Sequence, residues 1–189
     1  EEIYASCNAQ PSELGGAWRV QVGAPAPAIV HITDDDIIVS KPQQYDPFPG
    51  LETTFNAISV THPGPGALWN ATGLGAITNA EWEAADGGQR LFELQLPAVP
   101  WSRQARQVAN AMIADDRRFR THANTLPPDF FVLEPLNTIT WDSEWNSYSA
   151  KLFEITEIAY DLRTLTTAVS VRERDPDDFT PDLSLELPD

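Results

Sequence analysis

The stretch Trp101-Ser-Arg-Gln-Ala-Arg-Gln-Val-Ala-Asn-Ala-Met-Ile-Ala-Asp-Asp-Arg-Arg-Phe119 decides how this chain is read. Apolar side chains recur at three- and four-residue steps, at Ala105, Val108, Ala109, Met112, Ile113 and Phe119, which draws one stripe along a helix of about five turns. The opposite face carries Arg103, Arg106, Gln107, Asn110 and Arg117. A helix over 102–119 is therefore predicted to lie on a surface with one side buried, with Ser102 as its N-cap. No second segment of comparable length has helical period, so the stripe must cover a sheet. Met112 and Phe119 on such a stripe read as core packing.

Outward from the helix the chain reads as short strands. Before it, Arg90 to Leu96 alternates with Phe92, Leu94 and Leu96 inward, and Pro97 and Pro100 end the strand. After it, Arg120 to Thr125 is extended, and short strands are expected at Phe130–Leu133 and Thr138–Trp141. Lys151 to Tyr160 and Thr164 to Arg172 form the strongest β pair. Leu152, Phe153, Ile155, Ile158 and Tyr160 make the first of these apolar on both faces, hence central, while Leu165, Val169 and Val171 share one face of the second.

Toward the N-terminus, Phe55 to Thr61 is a strand, and the twenty Gly- and Ala-rich residues after His62–Gly66 read as loops with at most short strands. Ile29 to Ile32 is a strand, followed by Thr33 capping a short helix that opens on Asp34-Asp35-Asp36. Ala17 to Val22 alternates Trp18, Val20 and Val22 with Arg19 and Gln21, which predicts a half-buried strand in a hairpin turned at Gly15-Gly16. Glu1 to Asn8 reads as the last turns of a helix. The class is α+β, mainly antiparallel β with one long packed amphipathic helix. Pro42, Pro47, Pro49 and Gly50 mark the clearest boundary. It divides a small α/β unit over 1–45 from a β-rich module over 50–175, with 176–189 an acidic, proline-rich linker or tail.

Composition narrows the function. The 189 residues are 42% hydrophobic, enough for a real core, and 12 basic against 28 acidic residues give a net charge of −16. That field repels phosphate backbones and anionic lipid, arguing against nucleic-acid or membrane-surface partners. No apolar run approaches the ~18 residues of a membrane span. The single Cys7 has no internal disulfide partner, and no Cys/His spacing suggests zinc. The chain starts at Glu1 without an initiator Met, which points to a piece of a longer protein or a processed chain.

No pattern of catalytic residues stands out. His31, His62 and His122 are scattered, and neither HExxH nor a phosphate-binding glycine loop occurs. No cofactor and no metal site is expected. Asp34-Asp35-Asp36 supplies hard oxygen ligands, but three consecutive acids do not converge on one ion, and helix capping accounts for them better. A glycosidase carboxylate pair could be drawn from Glu81, Glu83, Glu134, Asp142 or Glu144, and with 28 acids in the chain that carries little weight without geometry. Among six tryptophans, Trp18 is expected in the core. Trp69, Trp82, Trp141 and Trp145 lie in or beside loops, where flat indole faces would suit stacking on sugar rings.

Several runs, in order, resemble the hub region of lambda-like phage tip attachment proteins, including tail-tip proteins of siphophages, prophages and gene transfer agents. They are Ala17-Trp18-Arg19-Val20 after the Gly-Gly turn, Thr33-Asp34-Asp35-Asp36, Thr54-Phe55-Asn56-Ala57-Ile58-Ser59-Val60 and the Gln104-Ala105-Arg106 helix. Leu133-Glu134-Pro135-Leu136-Asn137-Thr138-Ile139, Ala150-Lys151-Leu152-Phe153-Glu154-Ile155 and Val171-Arg172-Glu173-Arg174-Asp175-Pro176 complete the set. The resemblance implies a barrel-like hub module with a packed helix, arranged with threefold symmetry at the end of the tail tube. Its implied partners are other tail-tip and tail-tube proteins, in a virion made in the bacterial cytoplasm. It implies no catalytic residues. The competing readings are a carbohydrate-binding module using exposed tryptophans, favoured by coplanar indoles in a groove, and a glycosidase fragment, favoured by two facing carboxylates in a cleft.

Overall fold

The computed structural model describes residues 2–50 and 52–183. In chain order the strands are β1 (Ala9–Leu14), β2 (Ala17–Val22), β3 (Val30–Thr33), β4 (Gln44–Asp46), β5 (Ala57–Pro63), β6 (Ala71–Gly73), β7 (Ile77–Thr78) and β8 (Leu91–Gln95). They continue as β9 (Thr121–Leu126), β10 (Thr138–Ser143), β11 (Tyr148–Asp161) and β12 (Thr166–Glu173). The α-helices are α1 (Glu2–Ala5), α2 (Ala80–Ala85) and α3 (Ser102–Asp116). The fold is strand-rich α+β, and its sheets are open, not closed into a barrel.

Two compact units share the chain, and neither is contiguous. One comprises residues 1–10, 49–117 and 176–189, the other 11–48 and 118–175. The sequence alone suggests 1–45, 50–175 and a separate 176–189 tail. One crossing does fall inside the proline-rich stretch, at Phe48/Pro49, but the chain returns to the second unit at Arg118. Sequence-local punctuation marks where the chain turns away, not which distant segments it later pairs with. Residues 176–179 form a 3-10 turn grouped with the first unit, and 184–189 lie outside the described residues.

In the first unit β5 is the axis of a four-stranded sheet. β8 runs parallel beside it, with Ala57 opposite Leu91 and Thr61 opposite Gln95, while β6 and β7 pair antiparallel near its two ends. The helix α3 lies against β5 as its stripe requires. Ala105, Ala109 and Ile113 are buried with Ile58, Val60, Leu94, Leu96 and Val99, and Val108 and Met112 pack at the margin. Two alanines one turn apart, with no side chain beyond Cβ, bring the helix close to the sheet.

The helix departs from expectation at both ends. Trp101, in extended backbone, is its N-cap, and Ser102 is already the first helical residue. At the other end the helix stops at Asp116, so Phe119 leaves the stripe and meets Phe48 edge-on at 6.3 Å in the second unit. Arg117 is the C-cap, and its guanidinium reaches Asp86 at 2.6 Å while covering the Trp82 ring at 5.4 Å. Asp86 is also bound by Asn56 Nδ2 at 2.9 Å. The Arg117 hydrogen bond holds the Asp86 carboxyl below the usual carboxylate range. Trp82 sits on α2, a helix the Gly/Ala-rich reading missed, whose N-cap Asn79 accepts from the N–H groups of Glu81 and Trp82.

The second unit is built on a six-stranded sheet in the order β3-β10-β11-β12-β9-β4, antiparallel except for the β3–β10 pair. The expected strong pair is there, with Phe153 opposite Glu173 and Ile155 opposite Val171, and a bulge between Ile155 and Glu157. Its core gathers Ile32, Ile37, Leu126, Phe130, Leu133, Ile139, Trp141, Phe153, Ile155, Val169 and Val171. Leu165 is not on the inward face of β12 as expected. It is exposed, with φ 54°, in the turn that joins β11 to β12. The strand expected at Phe130–Leu133 is replaced by a 3-10 turn over Pro128–Phe130. Proline at its first position fixes φ near the helical value and donates no ladder hydrogen bond. The helix expected after Thr33 is likewise one 3-10 turn, Asp34–Asp36.

Candidate functional site

The β1–β2 ribbon departs most from its reading. Its polar side is tied back by Arg19, which pairs with Glu134, while the Gln21 amide donates locally to the Ala24 carbonyl at 2.7 Å. The apolar side faces out, with Trp18 68%, Val20 47% and Val22 57% exposed. Trp18, expected in the core, is thus a surface residue. Alternation separates the two faces of a strand but does not say which one is buried. Among the described residues no third strand pairs with this ribbon, so no sheet layer decides the question.

The four tryptophans expected as a sugar surface sit in different surroundings. Trp141 is buried in the second core, where it meets His122 at 4.7 Å and Tyr148 at 5.5 Å and donates its indole N–H to Asp34 at 3.2 Å. It lies in the middle of β10, whose side chains on that face point into the core. Trp82 is half-buried under Arg117. Trp69, 63% exposed, belongs to the first unit, and Trp145, 65% exposed, to the second.

The acidic residues are spent locally. Asp34 accepts from Trp141 Nε1 and from the N–H groups of Glu144 at 2.8 Å and Trp145 at 3.4 Å, so it holds the β10–β11 turn. Asp36 accepts from the backbone N–H and the hydroxyl of Thr33 at 2.8 and 2.9 Å, a capping role in keeping with the reading of this run. Glu81 and Glu83 lie on α2 in the first unit, and Glu134, Asp142 and Glu144 in the second. Glu134 pairs with Arg19, and Asp142 accepts from the N–H of Ala150. A wide groove of about 720 Å³ runs past Asp34, Asp35, Asp142, Glu144 and Trp145.

The histidines have separate roles. His31, half-exposed on β3, holds Thr140 Oγ1 at 3.0 Å and lies 3.4 Å from Asp142. His122 is buried, stacked on Tyr45 at 4.4 Å and sharing a hydrogen bond with the Tyr148 hydroxyl at 3.0 Å. Burial, with Arg120 adding to it, pushes His122 down to about 4. Burial also raises the Tyr148 phenol, helped by the Tyr45 hydroxyl. An imidazole neutral at pH 7 and enclosed by aromatic rings is a core group in this geometry. His62 is buried on β5 beside a pocket that also includes Trp69.

Comparison with known proteins places the chain in context. Residues 1–158 match the family model Phage-tail_3, described as a putative phage tail protein. Among solved structures, a chain of the virion of a native gene transfer agent particle superposes with a TM-score of 0.75 at 13% identity. The match covers 100% of this chain and 40% of that one. The tail protein from Neisseria meningitidis MC58 gives 0.59 at 12% identity over 95% of this chain and 55% of its own. The 43 kDa tail protein of prophage MuSo2 from Shewanella oneidensis gives 0.57 at 14%, over 94% and 53%. This chain therefore spans between two fifths and rather more than half of the structures it resembles. No curated protein matches its sequence.

Proposed function

Because the chain belongs to the Phage-tail_3 family of putative phage tail proteins, we propose that it is an architectural module of a tail tip, a piece of the baseplate hub around the end of the tail tube. In this reading it works by contact and not by catalysis, as part of a virion whose proteins are made in the bacterial cytoplasm. Its neighbours are other tail-tip and tail-tube proteins, and in the full-length protein copies of itself about a threefold axis. The likeness to a chain of a gene transfer agent virion supports a place in a particle.

The observation that carries the proposal is the β1–β2 ribbon. Trp18, Val20 and Val22 form a row of apolar side chains that stay about half to two-thirds exposed among the described residues, while Arg19 on the other face pairs with Glu134. Covering such a row is favourable by roughly 25 cal/mol per Å² of apolar surface removed from water. A neighbouring tail subunit is the cover that the family implies.

Size exclusion with light scattering, on this chain and on the full-length protein at two salt concentrations, tests the assembly. At net charge −16, isolated copies repel one another over a Debye length of roughly 10 Å at 0.1 M salt. This chain is expected to be monomeric and the full-length protein trimeric, or assembled only with its tail partners. Trp18→Ser with Val20→Thr should leave the thermal midpoint of this chain unchanged and weaken the larger assembly. A salt-independent dimer of this chain would overturn the threefold reading, because a two-fold interface has no place on a three-fold axis.

A further inference from the structure

The pocket beside Trp69 in the first unit has features that architecture does not require. Thr61, His62, Pro63, Trp69, Gln95 and Pro97 line most of an open cavity of about 240 Å³. It is smaller than the roughly 300–1,000 Å³ of pockets for drug-sized ligands, which limits it to about one ring. The wall is furnished unevenly. Trp69, exposed at 63%, offers a broad apolar face, and the prolines add two more. Gln95 brings an amide and Thr61 a hydroxyl, while no carboxylate, lysine or arginine is among the lining residues.

His62, 4% exposed, contributes a buried residue to the pocket wall. The loop presenting Trp69 is fixed by the Trp69 N–H donating to the Gly64 carbonyl at 3.0 Å and the Asn70 N–H to Ala67 at 3.1 Å. Leu68 and Trp69 both take left-handed backbone, φ 55° and 66°, which is unfavourable for large side chains and leaves Trp69 projecting.

We propose that this pocket binds a single neutral pyranose ring of a glycan, stacked on Trp69 and hydrogen-bonded by Gln95 and Thr61. A pyranose has an apolar C–H face matched to indole and a rim of hydroxyls that both donate and accept. This suits the Gln95 amide and the Thr61 hydroxyl, each of which can both donate and accept. Charged sugars fit less well, because the lining supplies no side-chain countercharge and the chain's −16 repels uronic or sialic acids. The inference uses only the first unit's pocket and stands or falls apart from the hub reading.

The test is titration of this chain with methyl β-D-glucopyranoside, methyl α-D-mannopyranoside, N-acetylglucosamine and glucuronate, each to about 50 mM, followed by NMR at the indole N–H resonances. One ring on an open site implies millimolar affinity. At least one neutral sugar should move a single indole resonance saturably, the one absent from Trp69→Phe, and saturation should transfer from protein to sugar. Trp69→Ala should cost tenfold or more in affinity with the thermal midpoint unchanged, since the side chain is mostly solvated. Gln95→Ala should weaken binding less. The proposal is overturned if no neutral sugar shifts the Trp69 resonance at 50 mM, if the responding tryptophan is another one, if glucuronate binds best, or if Trp69→Ala binds as the parent does.

Discussion

Replacing Arg174 by Met puts the second unit to its most demanding test. Arg174 and Glu154 form an ion pair at 2.9 Å with side chains only 1% and 2% exposed, and a second guanidinium nitrogen donates to the Gly23 carbonyl at 3.2 Å. Glu154 lies on the central strand β11, with Arg172 opposite it on β12. Nearby, Glu173 takes Lys151 at 2.7 Å and Arg120 at 3.0 Å. Losing Arg174 breaks a buried ion pair, which costs about 3–5 kcal/mol. That is a large share of the roughly 5–15 kcal/mol that holds a typical domain. At about 2–4 °C per kcal/mol for a chain of this size, the midpoint should fall by about 6–20 °C. Urea denaturation followed by tryptophan emission suits the measurement, because Trp141 is buried in the same core. The double variant Glu154→Leu with Arg174→Met should recover most of the loss, since removing both charges removes the desolvation problem with the attraction. A single variant within about 1 kcal/mol of the parent, or a double variant no more stable than Arg174→Met alone, would refute the argument.

Two other outcomes follow from the same unit. Phe153→Asp should cost on the order of 3–5 kcal/mol, from lost burial plus an unpaired carboxylate, and a midpoint within a degree or two of the parent would mean that β11 is not central. His122, held down to about 4 in the fold against 6.5 for the free side chain, makes the unfolded chain the better proton acceptor between those values. Stability should therefore fall as pH drops from 6.5 toward 4, by about 3 kcal/mol at the limit, and the fall should level off below that. Urea titrations at pH 7 and 4.5 on the parent and His122→Phe should show that the variant loses about 2 kcal/mol less between the two pH values, and equal losses would contradict it.

The legible part of the fold was the part whose burial is decided within a few residues. The Ala105–Ile113 stripe has only one face that can be buried, so the helix and its sheet partner followed from spacing alone. Phe153 and Ile155 read as central because a strand apolar on both sides has nowhere else to go. Where burial depends on a distant layer, the pattern says less. Trp18, Val20 and Val22 show the same alternation as an inward face, and Trp141 looked like a loop residue because β10 ends only two residues after it. The pocket beside Trp69 gave no local signal either, since Thr61, Gln95 and Trp69 meet only once β5, β8 and the Trp69 loop are assembled. Phe119 failed for another reason. The helix ends at Asp116 with Arg117 as its C-cap, and the Arg117 side chain reaches Asp86, 31 residues away in the chain, which spacing along the helix does not announce.

The interleaving of the two units bears on how the chain can be cut. Residues 49–117 enter and leave between segments of one sheet, since β4 at 44–46 pairs with β9 at 121–126 and β3 at 30–33 with β10 at 138–143. Both edges of the six-stranded sheet thus come from before the insertion and its centre from after it. Closing a loop of that length adds only a slowly growing entropic cost, about (3/2)RT ln n, so the native pairing is affordable once the central strands exist. The cost falls on rate, because long-range pairing must await β9 to β12. A chain begun at residue 50, at the boundary the prolines suggest, would lose both edge strands. It would expose the flanks of β10 and β9 as unpaired ladders, and such edges recruit other chains. The proline stretch is therefore a poor place to divide this protein, although its sequence marks the clearest break.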